Sequence, residues 1–413
     1  MTTAYRMRLT RLALEEFRCY RKLDLTVPFP GLRLHGLNAS GKTSLLEAMH
    51  LLATLRSPRA TQERELVNWA SAKEFALPPY ARMHGWITAG QEEHHVEVVL
   101  AADERRPGAI KKRIKLDGRA RRMVDTIGTL KVVLFAPEDL NLVLGSPSVR
   151  RRYLDISISQ IDPVYVRSLA RYGRILEQRN GLLKDLGARY RPSDPAAAEE
   201  LVYWDAELIT QGAYVATTRL RYLHSLGARA AEAFTQLTGL DRSLTLHYLG
   251  TISLPDVQIE RAIAASSSDA QVLLARSFET DLQRLREDEL RRGVTLTGPH
   301  RDDFTFRLGG IELSAYGSRG QQRLAVIATK LAELRQVLTL AGDHPLLLLD
   351  DVLSELDAEH RTRLLDALGE ADCQVFITST DRDLLDQPSL SCLPFIEAVD
   401  GRLIPEIPAE SPT

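Results

Sequence analysis

The sequence predicts an α/β fold in which a nucleotide-binding sheet is interrupted by a helical insertion. Three observations support this prediction. A glycine-rich loop joins a β-like stretch to an amphipathic helix near residue 40, and two aspartates follow a strongly apolar stretch near residue 350. Between them the hydrophobic pattern is mainly helical. The two halves of one nucleotide site therefore lie near opposite ends of the chain.

The glycine-rich loop lies in LHGLNASGKTSLLEAMHLL, residues 34–52, which contains the pattern G-x-x-x-x-G-K-T. Backbone N–H groups of such a turn surround phosphate oxygens, and the helix start adds its positive dipole end. Lys42 is expected to bridge the β- and γ-phosphates of ATP, and Thr43 to bind Mg²⁺ through its hydroxyl. The predicted ATP-binding residues are Gly36, Leu37, Asn38, Ala39, Ser40, Gly41, Lys42 and Thr43.

The composition indicates a cytoplasmic protein that has no membrane partner. No run approaches the ~18 apolar residues of a membrane-spanning helix, and the N-terminal segment lacks the pattern of a secretory signal. Cys19, Cys373 and Cys392 lack the spacing of metal ligands. Because the net charge is −2, any nucleic-acid binding has to come from a local basic patch.

Changes in periodicity divide the 413 residues into three predicted parts. Alternating apolar and polar residues predict strands before residue 140. Helical periodicity begins near Pro147, and β character returns after a helical stretch over Gln271–Leu290. We therefore expect the first part of the nucleotide-binding lobe over 1–140, a helical lobe over 141–290, and the second part of the nucleotide-binding lobe over 291–413.

Two further motifs lie in the last part. In HPLLLLDDVLSELD, Leu346–Leu349 predict a buried strand, and Asp350 follows it as the expected Mg²⁺-associated carboxylate. In LSAYGSRGQQRLAVIATKLAEL, a small loop over Tyr316–Gly320 opens an amphipathic helix and forms a second anion-binding helix start. A single-domain enzyme has little use for a second phosphate site, so we expect this loop to serve the nucleotide of another copy.

Together these motifs resemble the ATPase heads of the ABC superfamily, in its SMC-like branch. LALEEFRCYRKLDL, FAPEDLNLVLGSPSVRRRYLD, YGSRGQQR and LLLLDDVLSELD further resemble the RecF family of bacterial recombinational-repair proteins, over residues 7–390. There are two departures. Cys19 stands where the family usually has Asn, and no histidine follows the QVFITST stretch, where transporter ATPases carry one.

The resemblance implies an ABC-type (SMC/RecF-like) P-loop ATPase head with an inserted helical second lobe. It implies catalytic roles for Lys42, Asp350 and Asp351, with Asp351 placed to orient the attacking water. Ser318, Gly320 and Gln321 would contact the γ-phosphate across a dimer interface. Asp357 would lie in the loop that couples the two sites, and Glu138 and Asp139 at the junction with the helical lobe.

The implied function is that of a slow, DNA-dependent ATPase in recombinational repair, replication restart and the SOS response. ATP would close a homodimer on duplex DNA near gaps or single-strand junctions, and RecO and RecR would help it to load RecA. A transporter ATPase subunit is disfavoured by the missing histidine and the helical insertion. A structural SMC-type tether needs long heptad stretches, and a small-molecule kinase leaves the second loop unexplained.

Basic clusters are the candidate DNA contacts. The segment 105–122 contains nine Lys or Arg residues and one Asp, and such stripes can neutralise phosphates. The residues predicted to contact DNA are Lys111, Lys112, Arg113, Arg150, Arg151 and Arg152. Arg167, Arg171 and Arg174 form a further candidate stripe at helical spacing.

Overall fold

The computed structural model describes residues 7–405, except 69, 71–73, 75–77, 104, 107–108, 191–193 and 241–242. The chain divides into two compact units. Unit 1 contains the chain up to Asp139, the short segment Gln236–Gly239, and the chain from Lys330 onward. Unit 2 contains Leu140–Thr235 and Leu240–Thr329.

The regular elements alternate between strands and helices along the described chain. The strands are β1 (Arg8–Phe17), β2 (Tyr20–Thr26), β3 (Gly31–His35), β4 (Tyr80–Ala89), β5 (Glu92–Ala102), β6 (Ile110–Leu116), β7 (Arg119–Ala120), β8 (Val132–Phe135), β9 (Leu244–Leu249), β10 (Asp303–Leu308), β11 (Ile311–Glu312), β12 (Leu346–Asp350), β13 (Val375–Ser379), β14 (Phe395–Val399) and β15 (Arg402–Pro405). The helices are α1 (Lys42–Thr54), α2 (Asn141–Leu144), α3 (Pro147–Ser159), α4 (Pro163–Arg189), α5 (Pro195–Thr238), α6 (Asp256–Ala264), α7 (Ser267–Arg292), α8 (Leu313–Tyr316), α9 (Arg319–Ala341) and α10 (Ala358–Gly369).

A parallel sheet in unit 1 positions the nucleotide loop. Its strand order is β15-β14-β3-β13-β12-β8, and only the edge pair β14–β15 is antiparallel. All five residues of β12 are buried, as expected for a strand covered on both faces. In such sheets ligands bind beyond the carboxyl ends of the strands. This is the edge where β3 leads into the glycine loop and where β12 ends at Asp350.

The second sheet of unit 1 is antiparallel, in the order β2-β1-β4-β5-β6-β7. One side of this sheet contributes Leu12, Met83 and Val98 to a core that also contains Leu45 and Met49 of α1. The positions between these residues face away from the core, as the period-2 geometry of strands requires. Burial on one side only is common in antiparallel sheets.

Unit 2 combines helices α2–α4, α6, α7 and most of α5 with a small sheet in the order β11-β10-β9. Its interior holds the fully buried Arg179, which donates hydrogen bonds to Asp205 (2.8 Å), Glu289 (2.7 Å) and Thr295 (2.8 Å). A buried guanidinium needs such partners because an unpaired buried charge is strongly destabilising.

The boundary predicted at residue 290 does not coincide with the end of unit 2, which is Thr329. The strand β10 pairs with β9 along its full length, from Asp303↔Leu249 to Leu308↔Leu244. This pairing places the segment 291–329, including the second loop, in unit 2, whereas the first division falls at Asp139. Among the described residues, no helix combines the length and the apolar character that crossing a bilayer requires.

Candidate nucleotide-binding site

The phosphate loop between β3 and α1 owes its glycines to its own surroundings. Gly41 has φ +111°, and a Cβ there would lie 2.9 Å from both Cys19 Sγ and Tyr20 Oη. The Tyr20 hydroxyl donates a hydrogen bond to the Gly41 carbonyl at 3.0 Å. A Cβ on Gly36 would lie 2.4 Å from the Ala398 carbonyl oxygen. The fold of the chain therefore requires both glycines.

Lys42 is buried at the start of α1, with its ammonium inside the loop. Its Nζ donates hydrogen bonds to the carbonyl oxygens of Gly36 (2.7 Å) and Leu37 (3.0 Å). Burial lowers the pKa of Lys42, and the nearby carboxylates of Asp351 and Asp350 oppose this shift. Phosphate oxygens can replace the two carbonyls as acceptors, and they add the negative charge that the ammonium favours.

Two hydroxyl groups hold the buried carboxylate of Asp350 at the end of β12. Thr43 Oγ1 donates a hydrogen bond to Asp350 Oδ1 at 3.0 Å, and Thr378 Oγ1 donates to the same oxygen at 2.9 Å. Burial raises the pKa of Asp350, because the charged form loses its hydration. The structure thus brings together Thr43 and Asp350, the two residues expected to bind Mg²⁺.

Asp351 adopts a left-handed backbone conformation, with φ +53°. Its amide N–H lies 3.2 Å from the Thr378 carbonyl oxygen and 3.1 Å from Thr378 Oγ1, and both distances fit hydrogen bonds. Ser379 Oγ lies 3.5 Å from Asp351 Oδ1. Left-handed backbone is costly for a residue with a Cβ and often occurs at functional sites. The neighbouring strand β13 therefore holds both aspartates in position.

The residues present fit a nucleoside triphosphate with Mg²⁺. Ser40 is buried in the phosphate loop, and its Oγ has no hydrogen-bond partner among the residues that the structure describes. Such an orphaned polar atom is rare in a folded chain and suits a site that a ligand completes. Among the described residues, no group of three His, Cys, Asp or Glu side chains could hold a metal. Thr43 and Asp350, together with phosphate oxygens, would hold Mg²⁺.

The second loop, in unit 2, is exposed, and two hydrogen bonds between Ser318 and Gln321 hold it at the start of α9. The Ser318 amide donates to Gln321 Oε1 at 3.0 Å, and the Gln321 amide donates to Ser318 Oγ at 3.3 Å. A Cβ on Gly317 would lie 2.7 Å from the Leu313 carbonyl oxygen, whereas a Cβ on Gly320 would have no neighbour within 4 Å. The fold therefore explains Gly317 and leaves Gly320 unexplained.

Asp357 has a local role at the start of α10. Its carboxylate accepts a hydrogen bond from the His360 amide at 3.0 Å and also contacts His360 Nδ1 at 2.7 Å. These hydrogen bonds lower the pKa of Asp357. The residue is therefore the N-cap of this helix, and any role in coupling two sites would be additional.

A family model described as the RecF/RecN/SMC N terminal domain matches residues 8–392. The chain belongs to the RecF family. It is 50% identical to the DNA replication and repair protein RecF of Thermomicrobium roseum, over 97% of this chain and 100% of the relative. This similarity confirms the resemblance and the α/β ATPase-head fold predicted from the motifs.

Solved structures agree with the RecF assignment. The structure of the recombination mediator protein RecF-ATP in the RecFOR pathway aligns with a TM-score of 0.79 at 27% identity, over 97% of this chain and 100% of that chain. The Smc head domain of Pyrococcus furiosus, bound to the C-terminal domain of ScpA, aligns with a TM-score of 0.50 at 15% identity, over 96% of this chain and 95% of that chain. The second likeness concerns the fold alone.

In this RecF-family chain, the three consecutive basic residues near the start of β6 differ in their surroundings. Lys111 and Arg113 are exposed on β6. Lys112 points to the other side of the strand, where its Nζ contacts Glu63 Oε1 at 2.5 Å and donates to the Leu55 carbonyl at 2.7 Å. Because those contacts already use the ammonium, Lys112 is a weaker candidate for DNA contact than its two neighbours.

Arg150 does not suit the predicted DNA contact. It is buried in unit 2, where its guanidinium donates to both carboxylate oxygens of Asp303, at 2.6 and 2.8 Å. A further hydrogen bond reaches the Gly145 carbonyl at 2.8 Å. Arg151 and Arg152 are partly exposed, and Arg151 donates to the Asp302 carbonyl at 2.8 Å. Arg150 is therefore no longer a candidate DNA contact, because its charge is already paired with the carboxylate of Asp303.

Sequence reasoning missed several residues of the site. Thr378 lies in the QVFITST stretch and has no predicted role, yet it contacts both aspartates. Tyr20 supports the phosphate loop from β2, although the LALEEFRCYRKLDL motif that contains it predicts no role for this residue. Asp139 also has an unexpected environment, because burial raises its pKa to about 6 beside the ion pair of Lys330 and Glu333.

Proposed function

We propose that ATP and Mg²⁺ drive two copies of this chain into a homodimer that clamps duplex DNA near gaps and single-strand junctions. This chain is an ATP-binding protein of DNA replication and repair with ATPase activity, in keeping with its relatives. The dimer, the slow and DNA-dependent hydrolysis, and help from RecO and RecR in loading RecA are our finer proposals. Their setting is recombinational repair, replication restart and the SOS response.

The observation that carries the dimer proposal is the exposed start of α9, where Ser318 and Gly320 are both exposed. Among the described residues, nothing lies within 4 Å of the position of a Cβ on Gly320. A glycine that its own fold does not require suggests close approach by another molecule. The exposed helix start suits an anion, so the γ-phosphate bound to a second copy is the proposed partner of Ser318, Gly320 and Gln321.

The residues of the phosphate loop and the sheet edge supply the proposed chemistry. Lys42 neutralises phosphate charge, Asp351 orients the attacking water, and Thr43 with Asp350 would hold Mg²⁺, which supplies Lewis-acid stabilisation of the triphosphate. Aspartate is one methylene shorter than the glutamate common in transporter ATPases. Its reach to the water is poorer, so we propose that hydrolysis is slow and serves as a switch.

The clamp needs a basic surface that remains free for phosphates. Lys111 and Arg113 are the strongest candidates, because both are exposed on β6. Arg151 and Arg152 remain weaker candidates, and Arg171 is already paired with Glu207 at 2.5 Å. Binding through these side chains should weaken with salt, since each phosphate contact releases counterions.

Light scattering with and without ATP, in the absence of DNA, tests the dimer. The wild-type chain should double in mass with ATP, whereas Ser318→Arg should stay monomeric because it places a bulky cation in the proposed interface. The matched control is Ser267→Arg, which carries the same change at the exposed start of α7 and should dimerise normally. A Ser318→Arg chain that binds ATP and still dimerises would refute the proposal.

A further inference from the structure

The side of the antiparallel sheet that faces away from the core carries aromatic and basic residues that the ATP cycle does not use. In β4, the buried Met83 and Ile87 alternate with the partly exposed Arg82, His84 and Trp86. We call this side the outer face. By strand register it also includes Arg11, Ala13 and Glu15 of β1, His95, Glu97, Val99 and Ala101 of β5, and Lys111, Arg113 and Lys115 of β6.

The centre of the outer face is a cluster of stacked rings. Trp86 and His95 stack with ring centres 4.7 Å apart and planes inclined by 16°. His95 Nε2 lies 2.9 Å from His84 Nδ1, which fits a hydrogen bond between the imidazoles. Burial lowers the pKa of both histidines, so both rings are neutral at neutral pH. A solvent-facing sheet surface of this kind offers a platform for a flat group.

A flat cation already covers one part of this platform. The Arg11 guanidinium lies 4.5 Å from the centre of the Trp86 ring and pairs with Asp24 through 2.7 and 2.5 Å hydrogen bonds. Both side chains of this pair are about half exposed, and exposed ion pairs contribute little free energy. Arg11 can therefore leave the ring and interact with an incoming anion instead.

A small cleft adjoins the ring cluster. It has a volume of about 180 Å³ and is lined by Trp86, His84 and Ala13, with the cations Arg11, Lys22 and Arg82 and the carboxylates Glu15 and Asp24 around them. Clefts for drug-sized ligands measure ~300–1,000 Å³. This cleft therefore suits a single ring-sized group better than a whole cofactor.

A basic row lies on β6, further along the sheet from the ring cluster. Lys111 stands opposite Ala101 and Arg113 opposite Val99 on β5, so neither faces an acidic partner on that strand. Lys115, by contrast, pairs with Glu97 at 3.1 Å. The strands β6 and β4 are two strand spacings apart, about 10 Å. Along the strand direction, Arg113 and Lys111 are displaced from the register of Trp86 by about 13 and 20 Å, since Arg113 is level with Arg82 and Lys111 with Tyr80. A flexible, negatively charged chain of several units can therefore contact the rings and these two cations together.

We propose that the outer face binds single-stranded DNA, with an unpaired base stacked on Trp86 and phosphates held by Lys111 and Arg113. Unpaired bases expose flat faces that stack on sheet-borne aromatic side chains, whereas bases within a duplex do not. This inference deepens the DNA-binding part of the proposed function and does not depend on the ATP-driven dimer. A monomer without ATP should bind in this way.

Fluorescence titration of the full chain with oligothymidylate, without ATP, tests the stacking. The wild-type tryptophan emission should be quenched on binding. Trp86→Phe should lose most of the quenching and keep most of the affinity, and the control Trp204→Phe should keep both. Trp86→Ala should weaken binding by about 5- to 150-fold, the range for loss of one stacked base. Unchanged affinity in Trp86→Ala would overturn the proposal.

Salt dependence tests the basic row with variants that leave the rings intact. The double variant Lys111→Gln with Arg113→Gln should lower the slope of log affinity against log salt by about 1.4, since each single-strand phosphate contact contributes about 0.7. The control pair Arg276→Gln with Arg291→Gln, exposed on α7, should not change the slope. An unchanged slope in the β6 double variant would overturn the assignment.

A duplex of the same length separates stacking from simple charge attraction. Trp86→Ala should weaken single-strand binding much more than duplex binding. Equal weakening of both, or no binding of oligothymidylate at all, would overturn the inference. Because these titrations contain no ATP, they can fail while the ATP-driven dimer stands, and the light-scattering experiment can fail while they succeed.

Discussion

Each of the two glycine loops of this chain precedes a helix, but Gly320 of the second loop differs from the two glycines of the phosphate loop. In the phosphate loop, a Cβ on Gly36 or Gly41 would collide with the chain itself. In the second loop, a Cβ on Gly320 would meet nothing within 4 Å. The chain's own packing therefore accounts for the glycines of the first loop and not for Gly320, and the proposed dimer gives Gly320 a role.

The phosphate loop and the second loop also differ in charge. The phosphate loop encloses the buried ammonium of Lys42, which contacts two backbone carbonyls. The second loop is exposed and offers the Ser318 hydroxyl and a helix start. The buried ammonium of Lys42 can bind ATP in a monomer, because phosphate oxygens are stronger acceptors than the two carbonyls. The second loop carries only neutral donors at its helix start, so it adds affinity only when a phosphate that is already bound approaches it. ATP binding should therefore precede association.

The largest expected effect separates association from hydrolysis. Asp351→Asn should slow ATP hydrolysis by roughly 10²–10⁴-fold, the usual contribution of a group that activates water. It should also preserve the ATP-bound dimer, because neither glycine loop is altered. Phosphate release and the decay of light scattering after ATP removal measure the two effects. A dimer that dissociates as fast as wild type would show that hydrolysis does not open it.

Removing the buried ammonium of Lys42 should weaken ATP binding at the phosphate loop and should therefore prevent ATP-dependent association through the second loop. Lys42→Met should weaken ATP binding by roughly 10²–10³-fold, comparable to losing one strong donor to a charged phosphate. ATP-dependent association should disappear at the same time. Calorimetric titration measures the affinity, with Lys184→Met, an exposed lysine on α4, as the control. Normal ATP affinity in Lys42→Met would refute the site.

Substituting the glycines directly tests the contrast between the loops. Gly41→Ala should lower the free energy of unfolding by roughly 1–3 kcal/mol, because alanine is strained at φ +111° and meets Cys19 and Tyr20. Gly320→Ala should leave the free energy of unfolding within about 0.5 kcal/mol of wild type and still weaken the ATP-bound dimer. Denaturant titration and light scattering provide the two measurements. A destabilised Gly320→Ala monomer would remove the contrast.

The smallest expected effect is an opposite response of the two units to acid. Burial lowers the pKa of His300 in unit 2 to about 4, so its contribution is present above about pH 6.5 and is lost as the pH falls toward 4. Burial raises the pKa of Asp139 in unit 1 to about 6. Between about pH 4 and 6 the folded state therefore keeps the Asp139 proton that the unfolded state loses. The stability that this protonated carboxyl contributes is lost as the pH rises through 6.

Thermal scans at pH 5 and pH 7 measure this difference. The transition of unit 2 should move down by a few degrees at pH 5. Asp139→Asn should raise the melting temperature of unit 1 slightly at pH 7 and make it less dependent on pH, since the amide carries no charge. A melting temperature of Asp139→Asn that changes with pH as in wild type would contradict the assignment.

Much of the site could be predicted because its chemistry follows from short motifs. The pattern around Gly36–Thr43 and the apolar strand before Asp350 predict a phosphate loop and an acidic edge wherever they occur in one sheet. The basic residues could not be sorted in this way. Lys111, Lys112 and Arg113 are adjacent in sequence, but the alternation of β6 and the position of Glu63 make Lys112 different from the other two.

The sequence by itself determined the phosphate-loop motif, the α/β class and the family, because these depend on residue types at fixed local spacing. Only the tertiary structure decided which charges remain free. It pairs Arg150 with Asp303, 153 positions away, and places Thr378 between two aspartates from the neighbouring strand. It also gathers Arg11, Trp86 and His95 from three strands into one surface. Such contacts depend on strand register and long-range packing, which local spacing does not encode.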